Sequence, residues 1–269
     1  MTRRIALLLV VVTLCMGCGG SISMRQLEQL EARINDTPDS VLAVLTATDM
    51  PCWGEARALY ALLTVQAQDK SYIDVADDSL ISVATRYYEH RGPALHRLQA
   101  FYYHGLVLGN AGRHHEAMTA YTRAKEFVDE VDAPYPVGLL YLQMGVLYGN
   151  DYDYPQALIN MEAALRCFQI IDKEKLQYLS KRNMGLIYLN MGRMEQAEPL
   201  FNEVLAWGEA HNDTYIINST IPSLLRLYDA TIEADSMASL FMRYPIEAFP
   251  QNATTYGIKA YYYALRGMR

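Results

Sequence analysis

Apolar and small residues recur along most of the chain at offsets of four and then three, the spacing of a single helical stripe. Phe101, Gly105 and Leu108 form one stripe, and Ala117, Tyr121 and Ala124 form the next, with Asn110-Ala111-Gly112-Arg113 between them. This reads as helix, turn, helix. The frame returns forty residues on as Tyr141, Gly145, Tyr148, then Ala157, Met161, Ala164. It returns again as Lys181, Gly185, Tyr188, then Ala197, Phe201, Val204. Self-similarity at a fixed period predicts helix pairs stacked on one another, because a lone pair cannot bury its apolar faces. The turns agree. Gly112 and Gly192 stand where a helix end takes a left-handed residue, and Asp151-Tyr152-Asp153 replaces them in the middle repeat. Gly105, Gly145 and Gly185 predict close approach between the helices of each pair, facing Ala117, Ala157 and Ala197.

Outside this span the pattern weakens. Leu225, Tyr228, Met237 and Phe241 predict a degenerate fourth pair. Residues 56–68 with 79–88 predict an earlier pair, and 24–34 with 40–47 the first, capped by Thr37 or Asp39. Residues 254–269 predict a last helix that is apolar and aromatic on much of its circumference. Such a face needs a cover, which predicts self-association, a further repeat or a downstream region.

The frame resembles the tetratricopeptide repeat, whose pattern places an aromatic, Leu-Gly, Tyr, Ala, an aromatic and Ala at matching positions. Met144-Gly145 with Tyr148 and Ala157, and Met184-Gly185 with Tyr188, Ala197 and Phe201, match it best. Lys181 and Val204 depart from it. The match covers roughly residues 94–210. The family period is 34 residues, so a period of 40 requires longer helices or longer links. The resemblance implies an all-α fold, a right-handed α-solenoid of stacked helix pairs with ~40-residue repeats. The mature chain is also similar to the N-terminal part of tetratricopeptide lipoproteins of Gram-negative bacteria, whose longer relatives are membrane-anchored sensors or regulators. This implies a short stand-alone version or a truncated one.

The first residues read differently. Arg3 and Arg4 precede an apolar run over 5–14, too short to span a bilayer and suited to a leader peptide. Cys15-Met16-Gly17-Cys18 follows and resembles the lipobox of bacterial lipoproteins, with Gly17 before a lipidated Cys18. Cys15 stands where that motif usually has leucine. A plain secretory leader cut near Gly20 is the alternative. Gly19 is not the aspartate that resembles an inner-membrane retention signal, which predicts an outer-membrane lipoprotein facing the periplasm or the cell surface. The resulting division is leader 1–17, anchor and linker 18–22, degenerate pairs 23–92, three repeats 93–210, and a degenerate repeat with the final helix 211–269.

Composition narrows the function. A net charge of -7, more negative once the leader is removed, argues against nucleic acid or anionic lipid surfaces as partners. Cys52 and Cys167 fall in different repeats, which predicts buried thiols rather than a disulfide. His114 and His115 read as turn histidines, and neither they nor His104 make a zinc pattern. Asp74, Asp77, Asp78, Asp151 and Asp153 lack calcium-loop spacing and read as caps or solvated turns. No phosphate loop, nucleophile elbow or carboxylate pair is evident. No catalytic residue, metal or cofactor is expected.

In the tetratricopeptide fold the first helix of each pair lines a concave groove. The resemblance therefore implies groove positions at Gln99, Tyr102, Leu106, Asn110, Leu139, Leu142, Val146, Asn150, Arg182, Leu186, Leu189 and Asn190. Asparagine amides can pair with a bound backbone, although an asparagine before a turn also serves to end a helix. The expected function is a membrane-anchored scaffold that holds a protein or peptide partner, in an envelope signalling or assembly system. The alternative is a glycan- or nutrient-binding lipoprotein, suggested by the 21 tyrosines.

Overall fold

The computed structural model describes residues 21–231 and 233–244, together with 256, 257, 259, 260, 263 and 267. The leader, Cys18 and most of the final helix expected at 254–269 lie outside the described residues. Among the described residues there are twelve α-helices, one 3₁₀ turn and no strand beyond an isolated bridge between Ser21 and Asp49. The chain divides into two compact units, residues 1–132 and 133–269.

The first unit holds α1 (Met24–Glu31), α2 (Pro38–Thr46), α3 (Gly54–Lys70), α4 (Ile81–Tyr88), α5 (Ala94–Asn110), α6 (His114–Lys125) and the 3₁₀ turn Val128–Glu130. Helix α1 starts at a reciprocal cap. Ser23 Oγ accepts from Gln26 N, and the Gln26 side chain accepts from Ser23 N at 3.0 Å. Helix α3 is buried on every side from Ala58 to Ala67, packed by α1, α2, α4 and α5. Its polar groups are served internally, with Tyr60 Oη donating to Leu45 O at 2.7 Å and Thr64 Oγ1 to Tyr60 O at 2.7 Å. The expected cap on α2 is absent from its side chain: Thr37 occupies the N-cap position without a capping bond, and Asp39 sits in the first turn. Cys52 is exposed rather than buried, because it lies in the loop ahead of α3; Cys167 is half-buried and neither is in a disulfide.

The second unit holds α7 (Pro134–Asn150), α8 (Tyr154–Ile170), α9 (Glu174–Asn190), α10 (Met194–Ala210), α11 (Thr214–Thr231) and α12 (Ala234–Arg243). Helices α7 to α10 are each 17 residues long. Three-residue turns join them, so helix plus turn repeats every twenty residues. This locates the extra length of the forty-residue period in the helices. At about 1.5 Å per residue each spans about 25 Å.

The turns share one closure. Tyr72, Gly92, Gly112, Tyr152, Asp172, Gly192 and Asn212 all have positive φ. In six of these the next N–H reaches back five residues: Ile73 to Gln68 O, Arg113 to Leu108 O, Asp153 to Tyr148 O, Lys173 to Phe168 O, Arg193 to Tyr188 O and Asp213 to Gly208 O, at 2.8–2.9 Å. This is a helix stop that satisfies carbonyls left over at the last turn.

Within the second unit each helix packs on its sequence neighbour, and α9 also touches α7 and α11. Leu142, Ala157, Met161, Ala164, Phe168 and Ile187 form one core. Phe201, Leu205, Ile221, Leu225, Tyr228 and Met237 belong to a second, with Phe241 packed against it. The degenerate fourth pair is thus α11 with α12. The repeat glycines do allow close approach, but their main partners are not the expected alanines. A Cβ on Gly105 would lie 2.4 Å from the Tyr121 ring, one on Gly185 2.7 Å from the Phe201 ring, and one on Gly145 2.9 Å from Met161 Cε. The large residue of the second helix fills the gap left by the glycine of the first.

Candidate functional site

Helices α7, α9 and α11 are the first helices of successive pairs in the second unit, and α9 touches both of the others. On their shared side is an open hollow of about 170 Å³, lined by Gly145, Val146, Gly149, Asn150, Met161, Asn183, Leu186, Ile187, Asn190 and Arg226. Four groove positions read from the sequence meet here: Val146, Asn150, Leu186 and Asn190. Val146 and Leu186 are half-buried, with Val146 packed on one core and Leu186 on the other, while Asn150 and Asn190 are exposed. The asparagines are the last residues of α7 and α9, so each combines a helix-ending position with a place at the rim. Arg226 Nη2 donates to Asn190 Oδ1 at 3.2 Å. Arg182 lies one turn before Leu186 on the same stripe. Its Nε donates to Ser219 O on α11 at 3.0 Å, and its Nη1 to Asn183 Oδ1 at 3.4 Å. Burial pulls its pKa below the usual arginine value, with Tyr215 opposing.

Other expected groove residues are placed elsewhere. Tyr102 is only 3% exposed, packed edge-on to Tyr103 at 4.9 Å and beside Tyr121, the residue that fills the Gly105 gap. Leu142 is 8% exposed and belongs to the core. Leu189 is buried too. Leu142 lies one turn before Val146 on the same stripe, at a level where the neighbouring helices cover it. Gln99 and Leu106 are half-buried in the first unit, and Gln99 Oε1 is buried with no hydrogen-bond partner among the described residues. Asn110 Nδ2 donates to Val75 O at 3.1 Å, pinning the preceding loop. Leu139 is half-buried and packs against the first core of the second unit.

Asn183 and Arg226 were not among the expected groove residues. Asn183 lies three residues before Leu186 and seven before Asn190 and could have been counted onto their face; Arg226 needed the three-dimensional pairing of α9 with α11.

The first unit carries a second cleft, of about 320 Å³, lined by Asp78, Ser82, Phe101, His104, Leu108, Arg113, Glu116, Thr119, Ala120 and Arg123. Arg113 Nη1 donates to Asp78 at 2.9 Å and its Nε to Glu116 at 2.7 Å. His104 Nε2 lies 3.6 Å from the same Asp78. Burial would raise Asp78, but Arg113 and His104 outweigh it and hold the carboxyl below its ordinary range. Burial lowers His104, against the pull of Asp78. Arg123 donates to Glu126 at 2.8 Å. Each Asp, Glu and Arg of this cleft has an oppositely charged partner. Asp78 therefore ties the loop before α4 to α5 and α6 rather than capping a helix, and Asp77 accepts from Ser79 N at 2.9 Å in the same loop. Asp153 does cap, accepting from Gln156 N at 3.3 Å.

Among the described residues no three His, Cys, Asp or Glu side chains could hold a metal ion together. No described helix is long and apolar enough to cross a membrane.

A family profile for the tetratricopeptide repeat matches residues 183–210, the end of α9 and all of α10. No curated protein matches the chain significantly. Among solved structures, the apo form of RapI is similar with a TM-score of 0.62 at 14% identity, over 81% of this chain and 63% of RapI. BtubC (BKLC) from P. vanneervenii gives 0.59 at 16% identity, over 91% of this chain and 90% of that one. A Rap protein complexed with competence and sporulation factor gives 0.46 at 14% identity, over 82% and 74%. The first two establish the fold: an all-helical, tetratricopeptide-like arrangement of stacked helix pairs. The chain spans less than two thirds of RapI.

Proposed function

We propose that this chain is a protein-interaction module whose second unit holds an extended segment of a partner protein against α7, α9 and α11. The observation that carries this reading is the hollow itself, where the amides of Asn150 on α7 and of Asn183 and Asn190 on α9 border an apolar floor of Val146, Leu186 and Ile187. Amides at the rim suit a peptide backbone, and the floor suits one side chain. At about 170 Å³ the hollow is smaller than the usual ~300 Å³ lower bound of drug-sized ligand sites. None of its lining residues is aromatic, so nothing there offers a sugar a stacking platform.

The test is binding of a labelled extended-peptide library to the purified chain. Leu186→Ala and Asn150→Ala should each weaken the selected peptides by about tenfold with the helical circular dichroism unchanged. Unchanged affinity in both variants would sink the groove. We further propose that Cys18 carries a lipid anchor and that the protein works at the outer membrane of a Gram-negative cell, within an envelope signalling or assembly system. Arg3, Arg4, the apolar run and Gly17-Cys18 support this, and membrane fractionation tests it.

A further inference from the structure

Most cations of the second unit that make ion pairs do so outside the hollow. Arg166 meets Glu162, Lys175 meets Asp213, Lys181 meets Glu203 and Arg243 meets Glu209. Arg182 and Arg226 are arranged differently. Among the described residues the bonds they make go to a carbonyl oxygen and to amide oxygens, with no carboxylate. Arg182 is also partly buried, so its charge has lost water without gaining a counter-ion. No residue lining the hollow is acidic, in a chain whose net charge is -7. Arg226 lines the hollow, and Arg182, one turn before Leu186, continues the same α9 stripe beyond it, so the two make a local positive strip on an acidic protein, which is a condition for charge complementarity with an anionic partner.

The spacing of the strip sets the pattern it can read. Arg226 is fixed beside Asn190, while Arg182 lies eight residues earlier on α9, about 12 Å by helical rise. Leu186 lies midway. An extended chain rises about 3.3 Å per residue and presents alternate residues on one face, so positions i, i+2 and i+4 face α9 together and span about 13 Å. Resting on the groove reading above, we infer that the partner segment is extended and carries acidic, apolar and acidic side chains at i, i+2 and i+4. The two carboxylates meet Arg182 and Arg226, and the apolar side chain rests on Leu186. Asn150, Asn183 and Asn190 are left to pair with the segment's backbone.

The experiment measures anisotropy of fluorescein-labelled, end-blocked peptides with the purified full-length chain. The probes are Ser-Glu-Ser-Leu-Ser-Glu-Ser, its Gln-for-Glu and Lys-for-Glu forms, and a contracted Ser-Glu-Leu-Glu-Ser. The Glu peptide should bind about tenfold or more tighter than the Gln form, and the Lys and contracted forms should be weaker still. Arg226→Gln, at an exposed position, should weaken the Glu peptide about fivefold and leave the Gln form unchanged. Arg182→Gln should do the same if its melting curve is native. Arg166→Gln, which removes the same charge from α8, should change nothing. Equal binding of Glu and Gln forms overturns the charge pattern and leaves the groove standing. Equal binding of contracted and full-length Glu peptides overturns the spacing. Absence of binding by every peptide overturns both this inference and the groove.

Discussion

His104 and Gly105 are adjacent, yet they constrain the fold through different physics. His104 is held mainly neutral by burial, facing Asp78, with Arg113 and Glu116 nearby. A folded-state pKa below the unfolded one means that its contribution to stability is complete above the ordinary histidine range and is lost as pH falls through the folded value. Melting temperature should therefore decline on acidification from pH 7.5 to 5.5, and His104→Gln should flatten that slope. An unchanged slope would contradict the assignment. Gly105 acts by volume. Gly105→Ala forces the Tyr121 ring to move and should cost about 1–3 kcal/mol. Gly109→Ala, one turn further on α5 with nothing within 4 Å of the added Cβ, should instead gain about 0.5–1 kcal/mol. Urea midpoints of the two variants should shift in opposite directions.

At the scale of elements, the regular unit is one helix with its turn rather than the pair. The forty-residue frame was legible because Gly105, Gly145 and Gly185 recur, and so were the turns at Gly112 and Gly192. The twenty-residue unit was hidden because Tyr152, Asp172 and Asn212 hold the same left-handed position without being glycine. A left-handed backbone costs a non-glycine residue about 1–2 kcal/mol. Asp172→Gly should recover about 0.5 kcal/mol of that, since aspartate tolerates the position better than most. Gly192→Ala should lose about 1 kcal/mol, both read by thermal melting. The departures from the family frame also have local causes. Lys181, where an aromatic was expected, lies over the Tyr178 ring at 4.8 Å and pairs with Glu203.

For the whole molecule, stacked helix pairs followed from periodicity alone, and the hollow followed in part. Val146, Asn150, Leu186 and Asn190 were reachable by counting from the glycines. Tyr102 and Leu142 were not separable from them: Leu142 lies one turn before Val146 on the same stripe, yet it is buried in the core while Val146 reaches the hollow, and only packing shows which turn of a stripe is covered. Arg226 and the tie from Asp78 to Arg113 join residues more than thirty apart, and no local pattern marks such pairs. The proposed tether belongs to this scale too. Cys18→Ser should move the protein from the membrane fraction to the soluble periplasmic fraction and abolish labelling by radioactive palmitate, because several acyl chains make anchoring stable where none makes it absent. Retention of the variant in the membrane pellet would refute lipidation at this residue.

The uniform closure of the turns has a further consequence for how such a chain can vary. Helices α3, α5 and α7 to α10 end in the same backbone stop, and from α5 onward a new helix begins every twenty residues, so register is reset at that interval. Excising or copying a block of forty leaves every remaining helix face aligned with its neighbour. Length is then the freest variable of this architecture: a recombination that adds one block extends the proposed strip by one more terminal asparagine without disturbing those already in place.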